Sequence, residues 1–118
     1  MGRRNLSCVA SEQKLKGYLL STSHPVGRAK ASFFASFGFH LEKWEVLARA
    51  LEKHARDATL ISELETEFGT KYIFEGAIDT PSQKQPLIRS VCILSDGETA
   101  LALVTAFPVR SRSNDKRT

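Results

Sequence analysis

Cysteine and histidine are scarce in this sequence. Cys8 and Cys92 are the only thiols among 118 residues, with three histidines scattered between them. Two cysteines make neither a disulfide framework nor a zinc site, so reduced thiols in a cytoplasmic protein are expected. No stretch approaches the roughly 20 consecutive apolar residues that span a bilayer, which excludes a transmembrane helix. Met1-Gly2-Arg3-Arg4 leads into no apolar run, so no secretory signal is expected. A glycine-rich phosphate loop, an HExxH helix and a G-x-S-x-G elbow are all missing, as are internal repeats and low-complexity linkers.

What remains is an ordinary globular composition, 42% hydrophobic and 25% charged, enough for one domain over 1–118 with its own core. The net charge of +4 sits at the ends. Arg3, Arg4, Arg110, Arg112, Lys116 and Arg117 against Asp115 give the ends +5, and the 11 basic and 12 acidic residues between them give −1. Residues 1–10 and 111–118 are read as flexible, solvated ends. Within the body, residues 14–30 hold Lys14, Lys16, Arg28 and Lys30 with no acid, and His24 lies among them. A polyanion would find its site there.

Helices come first. Residues 12–20 read as a short helix weakened by Gly17. Ser21-Thr22-Ser23-His24 before Pro25 reads as a cap for a helix over 25–37, with Val26, Ala29, Phe33 and Phe37 on its buried face and Gly38 as its stop. A third helix spans 42–57, with Trp44, Leu47, Ala48, Leu51 and Ala55 at helical spacing. Its balanced charges, including Glu45–Arg49 and Glu52–Arg56 at i,i+4, make a solvated face. His54 is read as part of that run, without a chemical role.

After Asp57 the period changes to two, giving strands over 59–67, 71–79, 87–94 and 99–107. Ser95-Asp96-Gly97 is a hairpin signal. Short connections predict an antiparallel four-stranded meander, so the fold class is α+β with the helices on one face of the sheet. Phe33, Phe37, Trp44, Leu47 and Leu51 are expected to pack on Tyr72, Phe74, Val91 or Ile93. Glu63, Glu65 and Glu67 alternate as an exposed row, since a hard cation needs further converging ligands.

Three positions carry candidate chemistry. His24, Arg28 and Lys30 cluster at a helix N-terminus, where free backbone N–H groups favour an anion. They read either as a phosphate site with His24 as proton-transfer group or as a cap with two solvated bases. Arg89 shares a strand face with Leu87, Val91 and Ile93, and either pairs with an acid such as Glu75 or meets a substrate phosphate. Thr105 is a good strand former whose hydroxyl also suits a phosphate oxygen.

The run His24-Pro25-Val26-Gly27-Arg28-Ala29-Lys30-Ala31-Ser32-Phe33-Phe34, then Gly38-Phe39, resembles the opening of an uncharacterised bacterial domain family found in toxin-like settings. Phe68-Gly69-Thr70-Lys71-Tyr72 with Gly76 and Thr80-Pro81 resembles its middle, and Leu103-Val104-Thr105-Ala106-Phe107-Pro108 its ending. Helices followed by a four-stranded sheet ending in Thr-Ala-aromatic-Pro are also distantly similar to the barnase/EndoU/colicin/RelE superfamily of ribonuclease toxins. That resemblance implies a site built from His24 and Lys30 (or Arg28) on the early helix, Arg89 on a middle strand and Thr105 on the last. It departs from some relatives in having no second histidine in the strands.

The resulting expectation is a metal-independent endoribonuclease-like domain that needs no cofactor. In it the RNA 2′-hydroxyl attacks the adjacent phosphate, His24, Lys30, Arg89 and Thr105 act as catalytic residues, and Arg28 binds phosphate. It would work in the cytoplasm or be delivered into a target cell, and its partners would be RNA and a cognate antitoxin or immunity protein. The alternative is a non-catalytic protein- or RNA-binding module of a toxin–antitoxin-like pair.

Overall fold

The computed structural model describes residues 7–21, 23–25 and 27–109. Expectations for Val26, the arginines of residues 1–6 and the tail from 110 onward lie outside these residues. Along the chain come β1 (Cys8–Val9), α1 (Glu12–Lys14) running directly into a π-helical segment (Leu15–Leu19), α2 (Gly27–Ser36), a 3-10 turn (Leu41–Lys43) and α3 (Trp44–Asp57). Four strands follow: β2 (Thr59–Thr66), β3 (Gly69–Ala77), β4 (Leu87–Leu94) and β5 (Leu101–Pro108).

The sheet has five strands, in the order β1-β5-β4-β3-β2. The meander β2–β5 is antiparallel as its short loops require, but β1 adds to β5 in parallel, pairing Cys8 with Leu101 and Val9 with Ala102. This corrects the four-stranded, wholly antiparallel expectation. A two-residue strand has no periodicity to read, and it falls inside the segment expected to be a flexible end. Its anchors are tertiary. Ser7 and Leu101 share a backbone hydrogen bond, the Ala10 N–H donates to Glu52 on α3 (3.1 Å), and Cys8 and Ala10 are buried. The Cys8 and Cys92 sulfurs lie 3.0 Å apart as thiols. That hydrogen bond, together with burial, pushes the Cys92 thiol up and keeps it protonated.

The helices cover one face of the sheet. Tyr72 and Phe74 of β3, Ile88 and Cys92 of β4, and Leu101, Leu103 and Ala106 of β5 meet Leu15, Leu19, Phe34, Phe39, Leu47 and Leu51 in a single core. Val91 and Ile93 alternate with Ile88, Ser90 and Cys92, so they take the other face and not the predicted core. The phase of α2 also differs from the expectation. Gly27, Ala31 and Phe34 form its buried stripe, Ala29 is exposed, and Phe33 and Phe37 are half-buried. The phase of α3 is as expected for Leu47, Ala48, Leu51 and Ala55, with Trp44 half-buried.

Two bulges redirect side chains. In β2 the register shifts between Leu60 and Ser62, so Leu60 opposes Phe74 on the helix side while Leu64 opposes Lys71 on the other. In β5 the shift falls between the partners of Val91 and Cys92. It puts both Leu103 and Ala106 into the core, three positions apart, where strict alternation allows only one of them.

His54 corrects the reading of α3 as a helix whose charges and histidine all face water. The ring is 2% exposed. Its Nε2–H donates to the Gly76 carbonyl (3.0 Å), so Nδ1 is left to accept from the Ser90 hydroxyl (2.8 Å). Burial pushes the imidazole below its ordinary pKa, against the opposing pull of the Gly76 and Ile88 backbone. Nearby, the helix's ion pairs run from Lys53 to Asp57 and Asp79 and from Arg56 to Asp57, and Glu52 is spent on Ala10.

Candidate functional site

Where β1 ends opposite Ala102, the outer edge of β5 passes to the helical layer, and the start of the chain's helices meets its last strand. Thr105 lies beside the β5 bulge, opposite Val91. Its Oγ1 is 3.1 Å from the phenol oxygen of Tyr18, a pair separated by 87 residues in sequence. A bulge is a common device for re-aiming one side chain out of the pleat, and here it accompanies the contact.

Tyr18 is the hub of this region, and sequence reasoning overlooked it. The ring of His24 stands edge-on to it, with centroids 5.0 Å apart. The ammonium groups of Lys14 and Lys30 lie 5.3 and 5.7 Å from the Tyr18 ring centroid. Partial burial pushes the phenol up, but the hydrogen bond to Thr105 and the nearby Lys30 and Lys14 outweigh it, leaving Tyr18 below the ordinary tyrosine value. A cavity of about 390 Å³, lined by Ser11, Gln13, Lys14, Gly17 and Tyr18, opens beside the ring.

The segment from 21 to 27 is organised by side-chain caps. Ser21 Oγ accepts from the backbone of Ser23 (3.3 Å) and of His24 (3.2 Å). His24 then acts as the cap acceptor, with the Gly27 N–H donating to its Nδ1 at 2.9 Å. The neutral ring therefore carries its proton on Nε2. Gly27 is required here by space, since a Cβ would collide with the carbonyl oxygen of Tyr18. Its lack of a side chain lets the start of α2 press against the π-helical turn and brings His24 onto Tyr18.

The structure thus brings together His24, Lys30 and Thr105 of the predicted set, around a tyrosine that was not in it. Arg28 is exposed on α2. Arg89 is not gathered in the same way. It takes the alternative in which it pairs with Glu75, its cross-strand neighbour, donating from Nε to Oε1 at 2.9 Å. It is on the sheet face that the helices leave open. Among the described residues no group of three or more His, Cys, Asp or Glu side chains converges as metal ligands do, and no helix is long and apolar enough to cross a membrane.

Tyr18 had a faint signal in the sequence: an aromatic residue within the acid-free stretch 14–30, between Lys14 and Lys30. Its weak helical context hid it. The helix it sits on is a single α-turn followed by a π-helical segment, an arrangement often found at functional sites.

No curated protein matches the chain. Among solved structures, a chain from a contact-dependent growth inhibition toxin–immunity protein complex of Klebsiella pneumoniae 342 superposes with a TM-score of 0.67 at 18% identity, covering 93% of this chain and 98% of that one. At that identity the likeness is one of fold. Residues 5–110 match the family described as a domain of unknown function, DUF6883, and with nearly its whole length inside that match the chain belongs to the DUF6883 family.

Proposed function

We propose that the domain is a toxin-type, metal-independent ribonuclease-like module whose site is the Tyr18–His24–Lys30–Thr105 cluster. The observation that carries this reading is the Tyr18–Thr105 hydrogen bond, set between His24 and two lysines at the mouth of α2. An RNA phosphate placed there meets two ammonium groups and a hydroxyl, while the Gly27 and Arg28 N–H groups at the start of α2 are taken by His24. Ammonium and hydroxyl groups stabilise charge developing on phosphoryl oxygens. The fold shared with a chain of a toxin–immunity complex supports a toxin or immunity setting and a cognate protein partner.

In the reaction the ribose 2′-oxygen bonds to phosphorus and the bond to the 5′-oxygen breaks, leaving a cyclic phosphate. The phenolate form of Tyr18, made more accessible by Thr105 and the two lysines, takes the 2′-hydroxyl proton, and the departing 5′-oxygen takes a proton from solvent. The sequence assigned proton transfer to His24. With Nδ1 accepting from Gly27, the ring instead offers Nε2–H to a phosphoryl oxygen. Lys30 and Lys14 offset the added charge, Thr105 orients the phosphate, and Arg28 holds the flanking backbone. Arg89, on the open sheet face, would contact RNA outside the reacting phosphate, and only once that RNA displaces Glu75.

The test is a gel assay with single-stranded and transfer RNA in the presence of EDTA. Cleavage that persists with EDTA, ends in cyclic phosphate and is lost in Tyr18→Phe and His24→Ala supports the reading. Intact RNA with the folded wild-type protein overturns it. The second reading, a non-catalytic partner-binding module, is favoured by one observation: the Arg89 guanidinium is already engaged by Glu75. Salt-dependent RNA binding without cleavage would select an RNA-binding version of it.

A further inference from the structure

The sheet ends on β2, and nothing among the described residues covers that edge. At the opposite end the short β1 and the helices occupy the side of β5. Among the described residues β2 pairs only with β3, so one row of its backbone N–H and C=O groups faces outward, in regular register over 62–66 beyond the bulge at Ile61. Its side chains are bare too. Only Leu60 and Thr66 are half-buried, and the other six residues are exposed on both faces. Ile61 is 43% exposed, Leu64 55%, and Phe68 in the following turn 70%. Long exposed edges with apolar side chains are normally blunted or paired, because they invite another strand.

The charge pattern selects the occupant. Past the bulge, Glu63 opposes Tyr72 and Glu65 opposes Thr70, so both lie on the helix side of the sheet, and Glu67 follows in the turn. None of the three joins an ion pair among the described residues. Leu64 and Lys71 take the opposite side. A second copy pairing edge to edge about a twofold axis would place two glutamate rows on one face as direct or diagonal neighbours, which repel. A nucleic-acid backbone would meet the same repulsion. A strand with lysine or arginine on one face and apolar residues on the other meets complementary groups on both.

We propose that β2 is a docking edge for a protein partner, which adds a β-strand carrying basic residues opposite Glu63 and Glu65 and an apolar residue beside Leu64. Main-chain hydrogen bonds supply the register, and the glutamates and Leu64 supply the selectivity. The surface is independent of the cleavage reading, since it involves no residue of the Tyr18 cluster.

The probe is an eight-residue peptide of alternating lysine and valine, titrated into the full chain and followed by NMR, with amide exchange measured at saturation. Shift changes and slowed exchange should concentrate in 59–66. Binding should weaken about tenfold in E63K/E65K and with added salt, as exposed charge pairs do when reversed or screened. The same peptide with glutamate for lysine should not bind, and N-methylation of alternate valines should abolish binding by removing the ladder donors. Failure to bind, equal binding of the glutamate peptide, insensitivity to N-methylation, or changes mapping away from β2 would each overturn the proposal. So would concentration-dependent dimerisation through 59–66. Both substituted glutamates are exposed, so E63K/E65K should keep the wild-type melting temperature, and the glutamate peptide tests the charge argument on unmodified protein.

Discussion

The phenol of Tyr18 hydrogen-bonds the hydroxyl of Thr105 at 3.1 Å, tying the first helical turns to the last strand. The bond is partly buried, and its loss in Tyr18→Phe should cost about 1 kcal/mol of stability. RNA cleavage should fall much further, by about a hundredfold or more, if the phenol carries the proton. A spectrophotometric pH titration provides an independent readout. One phenol should ionise below the ordinary tyrosine value in the wild type, and that component should be missing in Tyr18→Phe. Equal losses in cleavage for Tyr18→Phe and a remote variant of matched stability would remove Tyr18 from the chemistry.

His54 sets the acid sensitivity of the fold. Its folded pKa lies below the ordinary value because the ring is buried. The unfolded chain therefore binds the proton more readily, and stability falls as pH drops below about 6.5, the unperturbed histidine value, until the folded ring also protonates. One proton bound by the unfolded chain and not by the folded one caps the slope over that window at about 1.4 kcal/mol per pH unit. Denaturant melts at pH 7 and pH 5.5 should show it, and His54→Gln should flatten the difference while lowering stability at both. Ser90→Ala removes the hydroxyl that Nδ1 accepts from and should cost about 1–3 kcal/mol.

Much of the architecture could be read from periodicity, because it rests on elements long enough to show a period. The stripe Leu47–Leu51–Ala55 and the four long strands belong to that class. Where one residue decides, the pattern failed. Ile61 bulges and splits Leu60 from Leu64, and β1 is two residues held by Glu52 and a thiol pair rather than by its own pattern. His54 sits among charges that point outward, yet Gly76 and Ser90, more than twenty residues away, supply the partners that let it be buried. At the site, His24, Lys30 and Thr105 were visible as chemically odd positions. Tyr18 was not, because its contacts with Thr105 and His24 are tertiary, made beside a bulge in β5 and through the close approach that Gly27 allows.

Gly27→Ala tests that close approach. The substitution would drive a methyl group into the Tyr18 carbonyl. The start of α2 must then move, at a cost of about 1–3 kcal/mol. The same shift separates His24 from Tyr18, so cleavage should drop more than Tm predicts. Leu47→Ala, a fully buried truncation distant in sequence from the cluster, should cost about 2–5 kcal/mol and leave the residual activity of the folded fraction unchanged.

The Glu75–Arg89 pair makes the sharpest separation between a structural and a phosphate-facing arginine. The two side chains are 28% and 43% exposed, so the pair contributes little to stability, under about 1 kcal/mol. Glu75→Gln leaves a side chain of the same size and releases the guanidinium. If Arg89 contacts RNA after displacing Glu75, this variant should bind RNA more tightly than wild type. Its log Kd should also depend more steeply on log salt, by up to about one phosphate contact. Arg89→Ala should reverse both effects, and Glu75→Gln should change nothing in the Arg89→Ala background. Filter-binding titrations of the four proteins at several salt concentrations check this. Identical salt slopes across all four would leave Arg89 as a strand-pairing residue and confine RNA contact to the Tyr18 cluster.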